Sequence, residues 1–213
     1  MKRILLLALL LACGPALAQQ GSGWYIGGGL GSAKAEFVSG DFASGTIATG
    51  TRTSDDDDFA TRFFGGYRLS PNLALEGSLA ALGTYKHRYT DGVQIAVYDY
   101  SASALTFALA GTLPVAGGFS LVGRAGVAFT AAQLRERRDD GNGDLPSCPD
   151  SWWWYNDCVS QSTNLYWGLG AQFDVDRRWG LRLDYDNYGE VGEEFETGRA
   201  DIETVSVNFV WRF

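Results

Sequence analysis

Trp179-Gly180-Leu181-Arg182-Leu183-Asp184-Tyr185-Asp186 is the stretch whose reading decides the fold. Trp179, Leu181, Leu183 and Tyr185 share one parity, and Arg182, Asp184 and Asp186 share the other. A helix would scatter the four apolar side chains round its axis. A strand collects them on one face. The same segment sets full charges against large apolar groups, so its two faces must meet very different surroundings.

The same period of two recurs outward from this point. Phe59 to Arg68 sets Phe59, Phe63 and Tyr67 against Arg62, Phe64 and Arg68. Leu73, Leu75, Leu79 and Ala81 oppose Glu76 and Ser78. Val127 and Phe129 oppose Arg124, and Leu165, Trp167, Leu169 and Phe173 oppose Gln172 and Asp174. Val205, Val207, Phe209, Trp211 and Phe213 alternate with Ser206, Asn208 and Arg212. Two weaker segments, Trp24 to Leu30 and Ser103 to Leu113, complete a set of eight strands. Each is expected to run about ten residues, the length a tilted transmembrane strand requires.

The connections alternate in length. Leu69-Ser70-Pro71-Asn72, Pro114 to Gly118 and Val175 to Arg178 are short. Val38 to Asp58, Lys86 to Ile95, Arg135 to Thr163 and Tyr188 to Glu203 are long. Short turns at one end and long loops at the other are the asymmetry of outer-membrane barrels. The polar parity carries Arg62, Arg68, Glu76, Arg124, Arg182 and Asp184 among many Gly and Ala, which suits a crowded interior. The apolar parity carries the bulky aromatics. Bulk outside and charge inside make a lipid-facing barrel; a soluble lipocalin-type barrel would need the reverse. The expected fold is therefore all-β, an eight-stranded antiparallel up-and-down transmembrane β-barrel.

The N-terminus predicts export. Lys2 and Arg3 precede an apolar run, Ile4 to Ala12, and Ala16-Leu17-Ala18 offers small residues for cleavage. Residues 1–18 read as a signal peptide and residues 19–213 as the barrel domain. The apolar run is too short for a spanning helix, which needs about 20 residues. Leu10-Leu11-Ala12-Cys13 also resembles a lipoprotein box, so lipidation at Cys13 stands as the alternative. Loss of residues 1–18 takes Lys2 and Arg3 away, leaving 15 basic against 25 acidic side chains, a net charge of −10. Such a surface disfavours nucleic acid as a partner. The 28 Gly and 29 aromatic residues suit curved strands with interfacial girdles. Cys148 and Cys158 remain as an even pair in an exported chain and read as a disulfide.

The closing segment Val205-Ser206-Val207-Asn208-Phe209-Val210-Trp211-Arg212-Phe213 looks like the C-terminal signal read by the barrel assembly machinery. Phe209, Trp211 and Phe213 would carry that signal. Leu181-Arg182-Leu183-Asp184-Tyr185 resembles the seventh strand of the OmpA membrane domain. Gly23-Trp24-Tyr25-Ile26-Gly27-Gly28 is similar to the first strand of the OmpA/OmpX-like outer membrane protein β-barrel superfamily, here the barrel domain only. The resemblance covers nearly the whole mature chain. It implies the outer membrane of a Gram-negative bacterium, with membrane lipid and lipopolysaccharide as neighbours and the assembly machinery as a partner in biogenesis. It also implies a structural, envelope-supporting role with adhesion-type surface loops. Cell-wall anchoring by a periplasmic domain is not carried over, and the cysteine pair is not a general family feature.

Four constellations bear on function. Glu76, Arg124, Arg182 and Asp184 all face inward and must pair, because unpaired buried charges cost several kcal/mol each. An ion-pair plug is expected; a gate in a narrow ion or small-solute channel is the alternative. Trp152-Trp153-Trp154-Tyr155 lies between the two cysteines in the third long loop. Rigid aromatics favour recognition, so this loop is the candidate site for an extracellular partner; packing on the rim or on lipopolysaccharide is the competing reading. Asp55 to Asp58 and Glu190 to Glu196 are acidic but match no EF-hand spacing, so no metal and no cofactor are expected. His87, the single histidine, starts the second long loop with no nucleophile in a recognised pattern beside it. The chain is therefore expected not to be an enzyme, and a lipid-modifying or proteolytic barrel ranks third.

Overall fold

The computed structural model of the protein describes residues 23–37, 51–55, 57–90, 95–138, 158–192 and 199–213. The expected signal peptide, Cys13, Cys148 and Trp152 to Tyr155 lie outside them. The strands are β1 (Trp24–Phe37), β2 (Thr51–Asp55), β3 (Asp57–Ser70), β4 (Leu73–Thr90), β5 (Ile95–Ala116), β6 (Phe119–Arg138), β7 (Cys158–Asp174), β8 (Trp179–Val191) and β9 (Ala200–Arg212). β2 and β3 pair with successive stretches of β4, so the nine segments make eight staves. All pairings are antiparallel, and β1 pairs with β9 from Tyr25↔Arg212 to Phe37↔Ala200, which closes the barrel.

Closure follows from the environment. Hydrocarbon offers no partner to a free strand edge, so a sheet that crosses it must return on itself. The side chains follow the predicted parity. Leu79, Phe107, Leu169 and Val207 stand 62%, 54%, 60% and 58% exposed on the outer wall. Arg62, Glu76, Arg124, Arg182 and Asp184 are buried inside. A continuous apolar belt of this kind exceeds what a water-soluble surface carries and matches a lipid-facing wall. Aromatic pairs mark its borders. Trp24–Tyr67, Phe119–Phe173 and Trp179–Phe209 stand 5.1, 6.0 and 5.8 Å apart toward the short-turn end. Trp167–Tyr185 stands 5.5 Å apart nearer the other end.

The three short turns fall at Pro71–Asn72, Gly117–Gly118 and Val175–Arg178, as predicted. In the last, the Asp176 carboxylate accepts the backbone N–H groups of Arg178 and Trp179 at 2.6 and 2.9 Å. The strands themselves are longer than ten residues. Apart from β2 they run from 13 to 22 residues, with β5 the longest. Lys86 to Ile95 is therefore mostly strand rather than a long connection. His87 lies within β4, paired with Ser54 and Tyr98, and not at the start of a loop. Likewise β6 runs on to Arg138, β8 to Val191, and β9 begins at Ala200. Above the belt neither face of a strand meets lipid, so the hydrophobic alternation lapses while the backbone ladder continues.

Bulges re-aim two staves above the belt. One lies between Ala81 and Thr84 of β4, where Gly83 adopts φ 97°. A Cβ there would sit 2.8 Å from the Asp58 Cβ, so the left-handed backbone and the close approach both require glycine. After the extra residue, Tyr85 rather than Thr84 turns inward.

Two expectations follow. Phe107→Arg, at mid-belt, should destabilise the folded barrel by about 2–4 kcal/mol, whereas Ser101→Arg, near the rim, should cost about 1 kcal/mol or less. Urea unfolding from phospholipid vesicles measures both. The two N–H groups on Asp176 hold its carboxyl below the usual aspartate range, first through Arg178 and then Trp179. Its hydrogen bonds therefore support the turn above the ordinary carboxylate range and lose that effect only as pH falls through the lowered value. A carboxyl-resolved NMR titration should show Asp176 protonating below a free aspartate.

Candidate functional site

Inward parity on four neighbouring or facing strands brings six charges to one level of the lumen. Arg62 comes from β3, Glu76 from β4, Arg124 from β6, and Arg182, Asp184 and Asp186 from β8. Arg62 pairs with Glu76 at 2.9 Å and with Asp186 at 2.8 Å. Arg124 reaches Asp184 and Asp186, both at 2.9 Å, and Glu76 at 3.6 Å. Arg182 pairs with Asp184 at 2.8 Å and with Glu76 at 3.2 Å. Three guanidiniums meet three carboxylates, so the layer carries no net charge. Each carboxylate contacts at least two guanidiniums, and every member is nearly or fully buried. That compensation is what makes burial tolerable, since an isolated charge here would cost several kcal/mol.

Neutral groups complete the layer. Tyr25 donates its hydroxyl to Glu76 at 2.9 Å, and Tyr166 donates to Asp186 at 2.6 Å. Asn208 donates to Asp184 at 3.0 Å. The Arg182 guanidinium lies 4.1 Å from the centre of the Phe64 ring, a cation–π contact. Space for these groups comes from β7, where Gly168 and Gly170 also face inward. A Cβ at either position would run into the carboxylate of Asp186 or Asp184.

Apolar layers seal the ions on both sides. Toward the short turns lie Tyr25, Phe64, Ala74, Ala110 and Val210. Toward the loop end lie Leu82, Tyr85, Tyr100, Tyr188, Val191 and Ile202. Tyr100 donates to the Val191 carbonyl at 2.8 Å, and Tyr85 to the Leu82 carbonyl at 2.6 Å. At the short-turn mouth Arg212 is paired with Asp174, which also accepts from Gln172 at 2.9 Å. Cavities beside Arg68 and Gln172 and beside Leu82 and Tyr188 measure about 10 Å³ each. That is room for about one water molecule. Among the described residues, the lumen is packed rather than open.

All four predicted lumen charges, Glu76, Arg124, Arg182 and Asp184, meet in this layer. Arg62 and Asp186 stood on the polar parity but were not joined to it by sequence reading. Tyr25 and Tyr166 were missed as inward groups, although each flanks outward apolar residues and so had a parity signal; Phe64 stood on the inward parity with Arg62 but was given no part in the layer. Phe209 faces outward, stacked on Trp179, and its ring lies 6.5 Å from that of Trp211. Phe213 is exposed, and its N–H donates to the Trp24 carbonyl at 3.1 Å.

The model of the family described as "Outer membrane protein beta-barrel domain" matches residues 4–213. Among solved structures, the outer membrane protein OprG from Pseudomonas aeruginosa is similar at 15% identity, over 90% of this chain and 96% of that one, with a TM-score of 0.58. Neisserial surface protein A is 16% identical over 91% of this chain and all of that one, with a TM-score of 0.56. AlkL, an outer membrane protein solved in lipid bilayers, is 14% identical over 94% of each chain, with a TM-score of 0.51. Identities this low speak to the fold alone. A search of curated proteins finds no match.

Removing one member of the ionic layer should be costly, because it leaves the others uncompensated. Glu76→Ala should destabilise the barrel by about 3–5 kcal/mol. Glu203→Ala, on the outer surface, should cost about 1 kcal/mol or less. Equilibrium unfolding in detergent or vesicles compares the two.

Proposed function

The chain belongs to the outer membrane protein beta-barrel domain family, and from that membership we propose an integral outer-membrane barrel whose work is structural. It sits in the outer membrane of a Gram-negative envelope among lipid and lipopolysaccharide. Its wall supports the integrity of that membrane and holds long loops outside, where Trp152, Trp153, Trp154 and Tyr155 offer an aromatic surface to an extracellular partner. A Cys148–Cys158 disulfide would close that loop, and Phe209, Trp211 and Phe213 would serve assembly.

The packed lumen is the observation that carries this reading. A solute crossing the barrel would have to break a neutral six-charge layer and then part an apolar layer on either side of it. Eight strands leave an interior only wide enough for side chains. A narrow ion channel ranks second, because guanidiniums and carboxylates do line the axis. It would require the layer to rearrange, at the expense of ion pairs that compensate one another.

Purified, refolded full-length chain should show no large, stable conductance steps in planar bilayers. A deletion strain should become more sensitive to detergent, and the wild-type gene should restore it. Stable large steps would overturn the structural reading in favour of the channel. Unaltered detergent sensitivity would remove the envelope role.

A further inference from the structure

The ionic layer cancels its own charge, but the short-turn mouth of the lumen does not. There Arg68 of β3 and Arg212 of β9, both on the inward parity, share the carboxylate of Asp174. Arg212 is only 7% exposed. Its Nη2 pairs with Asp174, while its buried Nε and Nη1 donate to no acceptor among the described residues. Asp174 is further engaged by Gln172 at 2.9 Å. Arg68 lies within electrostatic reach of both Arg212 and Asp174.

Register explains why the two arginines meet. Tyr25 of β1 is paired with Gly66 on one side and with Arg212 on the other. Two residues earlier, on the same inward parity, stands Gly23, whose carbonyl accepts the Arg68 N–H at 3.0 Å. Glycine has no side chain, so the chain here places none between Arg68 and Arg212 on the turn side of Tyr25. The Arg68 guanidinium rests 5.9 Å from the centre of the Tyr25 ring. The cavity beside it, about 10 Å³, also meets Arg182, Gln172, Thr112 and Ser70, and no carboxylate among the described residues lines it. Arg182 is already held by Glu76 and Asp184, so its charge is met from the other side.

We propose that this cup at the short-turn mouth binds a single chloride ion between Arg68 and Arg212. Charge and size select the ligand. Buried cationic donors that lack an acceptor are costly, and an anion set against them removes that cost. The cavity has room for about one water molecule, which a monatomic anion can replace and a sulfate or phosphate cannot. Chloride has no directional lone-pair geometry, so it suits two guanidiniums that approach from different strands. The apolar layer of Tyr25, Phe64, Ala74, Ala110 and Val210 closes the cup on its inner side. The ion therefore enters and leaves by the short-turn mouth and does not cross the barrel.

The test uses the full-length chain refolded in detergent micelles and follows the line width of the chloride NMR signal. Wild type should broaden that line saturably. Added bromide should reverse the broadening, and sulfate at equal ionic strength should not. Arg212→Gln and Arg68→Gln should each weaken chloride binding by about tenfold or more, the loss expected for one charged hydrogen-bond donor. Arg177→Gln, in the exposed turn after β7, should leave binding unchanged. Asp174→Asn should tighten it, because the carboxylate that competes for Arg212 is gone, a gain that mere damage to the mouth would not produce. Heat-modifiable gel mobility shows that each variant is a folded barrel. If Arg212→Gln does not fold, Arg68→Gln, at the less buried position, decides the matter. No saturable broadening by wild type, equal reversal by sulfate, or undiminished binding in a folded arginine variant overturns the proposal. Binding seen only in Asp174→Asn overturns it as well, since Asp174 would then already satisfy both arginines.

Discussion

A strand inside hydrocarbon can satisfy its backbone only through the strands beside it. That requirement brings β9 back to β1, and much else follows from it. Closure with eight staves fixes a lumen too narrow to hold bulk water. Everything on the inward parity must then be packed against everything else on that parity. Six charged side chains from four strands share one level, so their signs must cancel locally. Glycine at 168 and 170 follows from the same crowding, because the carboxylates of Asp184 and Asp186 already fill the space a Cβ would take.

The ionic layer also bears on register. A one-residue slip of any strand would turn its apolar set into the lumen and its charges into lipid, so parity alone opposes it. A two-residue slip keeps parity and offends nothing on the outer wall. Inside, however, it would carry Glu76 along β4 to the level of Ser78 or Ala74, away from Arg62 and Arg182. Compensated pairs 2.9 and 3.2 Å apart would be traded for uncompensated charges. Buried ion pairs add little net stability over an apolar core of the same shape, but breaking one is costly. In a uniform greasy wall they distinguish one alignment from its neighbours.

This division explains what the sequence made legible. Strand identity, outward facing and the four charges Glu76, Arg124, Arg182 and Asp184 all follow from period two, which is strongest where one face meets lipid. Tyr25, Phe64 and Tyr166 obey the same parity but break the simpler expectation that inward groups are small or charged. They are needed as lids and hydrogen-bond donors for the ionic layer, a demand that appears only once the strands are assembled. Strand ends were the least legible part. A bulge at Gly83 shifts the parity by one, which interrupts the alternation while the pairing continues to Thr90↔Ile95.

The long extensions connect the filled interior to the display of loops. β5 and β6 remain paired as far as Ala96↔Arg138, well above Phe129. β7 joins them from Cys158. Residues 139–157, with their aromatic cluster, thus depart from and return to adjacent staves of one hydrogen-bonded sheet. The closed hydrogen-bond ladder holds the base of that sheet, and tyrosine and aliphatic packing over a compensated ionic layer ties its staves together from within. A closed lumen and a raised collar are in this sense one design: the interior is given up as a passage, and the wall above the membrane is steadied by what fills it.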